Sequence, residues 1–155
     1  MKKLLVLSLL AIPAWSQLVY TASKTTVLSG TAEVITVQQP ATGSKIVRFI
    51  SAFIDSTAAC AITIEKDGTA ATGTALTPAP VLTGQVASAA TAFYSSDVGS
   101  GTVITRASIP ADGSIVVDLS RISMVGNNKG MNLTVRTASC TGTVDIVITY
   151  STQNN

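Results

Sequence analysis

From Ala32 to Tyr150 the chain alternates between short runs of valine, isoleucine and threonine and breaks rich in glycine, proline, asparagine and aspartate. β-Branched side chains are stiff at χ1 and fit a pleated, half-buried surface. The long straight-chain residues that favour helices are scarce, and no 3.6-residue period links the runs. Strands are predicted over residues 32–38, 45–54, 60–65, 91–94, 102–109, 114–119, 132–137 and 143–150. Asp67-Gly68 and Asp112-Gly113 are turn signals between them, and Pro40 and Pro110 stop the runs they follow. Residues 69–90 are rich in alanine, threonine and glycine and carry Pro78 and Pro80, which predicts a long surface loop with one short helical turn near 86–90. Residues 95–101 and 126–130 read as further loops.

The predicted strands differ in which faces are apolar. Residues 45–54 are apolar on both, with Val47, Phe49 and Phe53 set against Ile46, Ile50 and Ile54, as in a central strand. Ile62 and Ile64 share a face, as do Ile115, Val117 and Leu119, and Val144, Ile146, Ile148 and Tyr150. Eight or nine strands at short spacing predict an all-β antiparallel sandwich, jelly-roll-like, with an immunoglobulin-like arrangement as the alternative. The immunoglobulin form expects a core tryptophan that is missing here, and Cys140 falls in a predicted turn. One domain over residues 31–155 accounts for the pattern.

The amino terminus reads as an address. Met1-Lys2-Lys3 precedes an apolar run from Leu4 to Ile12, broken only by Ser8, and small residues stand at Ala14 and Ser16. This is the pattern of a signal peptide over residues 1–16, cleaved between Ser16 and Gln17. The run is too short for a membrane-spanning helix, which needs roughly 20 residues. Loss of Lys2 and Lys3 leaves eight basic residues against eight acidic. A neutral mature domain offers nucleic acid no electrostatic footprint. Export places the chain in an oxidising compartment, outside the cell or in the periplasm, so Cys60 and Cys140 are expected to form a disulfide.

The chain has no histidine, which removes the usual general base near neutral pH and the commonest metal ligand. No Ser-His-Asp triad or Cys-His pair can be built, and two cysteines cannot close a zinc site. The acids are Glu33, Asp55, Glu65, Asp67, Asp97, Asp112, Asp118 and Asp145, and no spacing marks a catalytic pair among them. A calcium site would have to use Asp67 with a neighbouring loop acid, but no D-x-D-x-D-G loop is present. No cofactor and no enzymatic activity are expected. Asn132-Leu133-Thr134 matches the glycosylation sequon at a predicted strand start and carries little information.

Recognition surfaces are therefore the remaining candidates. Small Ala/Thr/Ser side chains leave strand edges poorly guarded, which favours homo-oligomers or fibres. Residues 17–30 read either as the domain's own edge strand or as an arm that adds to a neighbour's sheet. The expected function is that of a secreted, non-catalytic structural subunit of an extracellular or cell-surface assembly. The alternative is a small carbohydrate- or ligand-binding module, with Phe93 and Tyr94 as the stacking surface.

The runs Val37-Gln38-Gln39-Pro40-Ala41, Ala59-Cys60, Asp67-Gly68-Thr69-Ala70-Ala71-Thr72, Asp118-Leu119-Ser120 and Gly142-Thr143-Val144 look like those of a group of uncharacterised exported bacterial β-sandwich proteins. The texture is also similar to single jelly-roll domains of phage virion proteins. The resemblance implies a structural or binding role and carries over no functional residues.

Overall fold

The structure is a computed structural model and describes residues 18–30, 34–39, 45–66, 73–94, 101–124, 131–138 and 140–154. Among the described residues there are twelve strands: β1 (Leu18–Ser29), β2 (Val34–Gln38), β3 (Lys45–Ser56), β4 (Cys60–Lys66), β5 (Thr74–Leu76), β6 (Ala79–Pro80), β7 (Thr91–Tyr94), β8 (Thr102–Ile109), β9 (Gly113–Asp118), β10 (Ser123–Met124), β11 (Asn132–Ala138) and β12 (Thr141–Asn154). All pairings are antiparallel, and the strands form two packed sheets. One sheet runs β10-β3-β12-β1-β6, with β9 also on β3; the other runs β5-β7-β2-β11-β4-β8.

The pairing is nested. β1 lies on β12, β2 on β11, β3 on β9 and β10, and β4 on β8. A long hairpin strip folded over on itself gives this nesting, and it is the jelly-roll path. Eight or nine strands were the expectation, and the core matches it when β9 and β10 are taken as one interrupted edge strand. The excess comes from the excursion between β4 and β8. Residues 69–90 read as a loop with a helical turn; among the described residues they carry β5 and β6 and no helix. Strands of three and two residues are too short to show a period in the sequence.

β1 belongs to its own sandwich, registered with β12 from Leu18↔Thr152 to Ser29↔Thr141. β6 covers its other side only at Tyr20 and Thr21. Tyr20, Ala22 and Leu28 point into the core, where Tyr20 and Tyr150 stack with ring centroids 5.8 Å apart.

One facing prediction is corrected. Val47, Phe49, Ala52, Ile54 and Ser56 are the buried residues of β3, so the inward phase changes midway. The cause is a β-bulge: Ser51 pairs with Thr149 and Phe49 with Tyr150, leaving Ile50 as the extra residue. Phe53 is thereby turned to the outer face. β12 keeps strict alternation over Val144, Ile146, Ile148 and Tyr150, all buried.

The predicted signal peptide with its cleavage point at Ser16 and Gln17, the Asp67-Gly68 turn and the loop at 126–130 lie outside the described residues. Residues 95–100 do so as well, so of that predicted loop only Gly101 is described. Among the described residues no helix is long and apolar enough to cross a membrane.

Candidate functional site

The two ends of the sandwich differ. At one end Cys60, the first residue of β4, is bonded to Cys140, which precedes β12, with Cα atoms 4.6 Å apart. The β3–β4 turn is tied to the same place: the Thr143 N–H donates to Thr57 Oγ1 at 2.9 Å and the Thr57 N–H to the Thr143 carbonyl at 3.0 Å. Gly142 lies here at φ 79°, and a Cβ on it would meet Thr57 Oγ1.

At the opposite end the sheets part around a cleft of about 370 Å³. Its apolar lining includes Phe49 from β3, Met124 from β10, Ile122 just before it, and Met131 just before β11. Val103 and Ile104 of β8 form the facing wall, and Lys66 and Arg121 contribute the charges. The opening follows from two local irregularities. β9 breaks after Asp118, whose Oδ1 accepts the Ser120 N–H at 2.9 Å in an Asx turn. The chain then returns to β3 through Leu119 N–H to the Ile50 carbonyl, 3.0 Å, and Phe49 N–H to the Ile122 carbonyl, 3.0 Å. On the other wall β8 bulges, with Ile64 opposite Thr105 and Glu65 opposite Val103, so Ile104 is the extra residue. The Ser120 backbone N–H and then its hydroxyl hold the Asp118 carboxyl below its ordinary value, against an opposing desolvation effect, and Arg121 adds a lesser pull in the same direction as Ser120.

The residues singled out in the sequence fall elsewhere. Phe93 and Tyr94 are adjacent on β7 and therefore point to opposite faces. Tyr94 packs against the core and lies under Lys24, whose Nζ is 4.1 Å from the ring centroid. The two rings do not form a common stacking platform.

The acids are spread over separate duties. Glu65, 8% exposed, accepts from the Gly101 N–H at 3.3 Å and pairs with Arg136 at 3.8 Å. Asp112 takes the positive-φ position of the β8–β9 turn at 52°. Asp55 and Asp145 stand directly opposite across β3 and β12, a juxtaposition invisible at their sequence spacing, and Thr25 Oγ1 donates to Asp145 at 3.0 Å. They lie on the outer sheet face and do not line the cleft. Asp67, the proposed calcium ligand, is outside the described residues, among which no group of three or more candidate metal ligands occurs.

The cleft is the feature that sequence reasoning missed. Its walls come from β3, β4, β8, β10 and the start of β11, with no local motif to announce it. Compared with known proteins, the sequence matches no family model and no curated protein.

Proposed function

We propose that the mature chain is an exported, non-catalytic subunit of an extracellular or cell-surface assembly, acting through its exterior. The observation that carries this reading is the open edge at β9. Among the described residues β9 pairs with β3 alone, so one row of its backbone groups faces no strand. Its sequence, Gly-Ser-Ile-Val-Val-Asp, has neither the lysine nor the proline that usually guards an edge. Val116 is 66% exposed there and continues a row through Phe53 and Val147 on the outer sheet face. A second copy pairing edge to edge across a two-fold axis would satisfy those backbone groups, extend the sheet and continue that row across the seam. The Cys60–Cys140 bridge is compatible with an extracellular or periplasmic location.

The test is the size of the oxidised chain from Gln17 onward, by light scattering across a concentration series. A homo-oligomer is expected, and Val116→Lys should shift it to monomer without lowering its melting temperature. A wild-type chain that stays monomeric at high micromolar concentration would overturn the reading.

A further inference from the structure

We propose that the cleft between β10 and β8 binds a small single-chain amphiphile with a carboxylate head, the tail lying between the sheets and the head at Arg121. Three observations converge on this class of ligand.

The first is shape. At about 370 Å³ the cleft lies within the range of small-molecule sites, roughly 300–1,000 Å³. The second is the lining. Ile122 and Met131, both half-buried, offer apolar surface between the sheets with the buried Met124 behind them, and methionine adapts to tails of different length. On the facing wall Val103 and Ile104 are 38% and 36% exposed, so a hydrocarbon tail would take apolar surface out of water on both sides. Phe49 closes the floor but is 1% exposed and offers no ring face, which argues against a stacked sugar.

The third is charge. The described lining residues include Lys66 and Arg121 and no carboxylate. Asp118 feels the Arg121 charge, but its hydrogen bonds come from Ser120 on the exposed side of β9 and it does not line the cleft. Arg121 is exposed at the cleft mouth, and its planar guanidinium can grip a carboxylate through two parallel hydrogen bonds. The same charges disfavour a cationic amphiphile with the same tail.

Calorimetric titration with decanoate and with decylammonium, each below its micelle concentration, tests this. Decanoate should bind one to one and decylammonium about tenfold more weakly or not at all. Methyl resonances of Ile122, Met124 and Met131 should shift with decanoate. Arg121→Glu, a change at an exposed side chain, should weaken decanoate by about tenfold with melting unchanged. Ile104→Glu, on the opposite wall, should weaken it independently. The same titrations on Val116→Lys separate ligand binding from self-association. Equal binding of the two amphiphiles, unaltered decanoate affinity in Arg121→Glu, or no saturable binding would each overturn the assignment.

Discussion

Tyr150 shows how one side chain joins the two layers. Its ring is fully buried between Tyr20 and Phe49, and its hydroxyl shares a 2.8 Å hydrogen bond with Ser88. Burial pushes the phenol up to about 12, with Tyr20 adding to the rise and the Ser88 hydroxyl opposing it. The folded state therefore resists ionisation more than the unfolded chain, whose tyrosine has its ordinary value of 10.0. By linkage the stability that Tyr150 contributes is complete below pH 10 and falls away as pH rises toward 12, by a total on the order of 2–3 kcal/mol. Urea unfolding at stepped alkaline pH should show that decline, and Tyr150→Phe should flatten it while losing about 1 kcal/mol at neutral pH through the Ser88 bond. An equal alkaline decline in the phenylalanine variant would contradict this. Gly84 and Gly142 share a left-handed backbone but differ in their surroundings. Gly84, at 83°, has open space where a Cβ would sit, whereas at Gly142 the Cβ would strike the Thr57 hydroxyl that holds Thr143. Gly84→Ala should cost about 1 kcal/mol, from the left-handed backbone alone, and Gly142→Ala about 2–3 kcal/mol, measured by the same unfolding curves.

At the scale of elements, what could be read from the chain depended on how many residues shared one period. β12 was legible because Val144, Ile146, Ile148 and Tyr150 keep one phase and Asp145, Val147 and Thr149 the other. β3 was legible as a strand but not in its facing, because both phases are apolar and nothing in Ile50-Ser51 announces a bulge. β5 and β6 were missed because they are short and find their partners across the fold, β6 on Tyr20 and Thr21. The excursion after β6 is attached with little covalent or apolar help. Val81, Leu82 and Val86 are all more than half exposed. The Val81 N–H donates to the Val19 carbonyl at 2.9 Å, and beyond it the segment is held through side-chain hydroxyls: Tyr20 donates to the Val86 carbonyl at 2.9 Å, and Ser88 bonds Tyr150. Ser88→Ala should therefore speed thermolysin cleavage at Leu82 several-fold while lowering global stability by only about 1 kcal/mol. Cleavage that accelerates only in proportion to global unfolding would show that the segment is part of the cooperative core.

The whole molecule is organised by its nested pairing, in which the first strand meets the last. Thr25 and Asp145, hydrogen-bonded across β1 and β12, are 120 residues apart in sequence. Such distant pairings are entropically expensive to close, and the Cys60–Cys140 bridge lessens that cost from within. It spans 80 residues and encloses β4 through β11, including the excursion, while β1, β2, β3 and β12 lie outside the ring. The two cysteines were legible as a pair from composition and the expectation of export, but their place was not. Only the register, with Ala138 opposite Ala61 and Cys60 opposite Ile109, sets them at the end remote from the cleft. In the chain-entropy description a ring of this size raises the free energy of the unfolded state by about 4.5 kcal/mol. Replacing both cysteines with serine should therefore lower the urea midpoint. It should also steepen the dependence on denaturant, because the unfolded chain, freed of its ring, exposes more surface. A drop of about 4 kcal/mol with a larger slope is the expected outcome. Coincident curves, together with labelling of both thiols in the folded wild-type chain, would mean that the sandwich stands without the link. In that case its stability would come from strand pairing and the shared core of the two sheets alone.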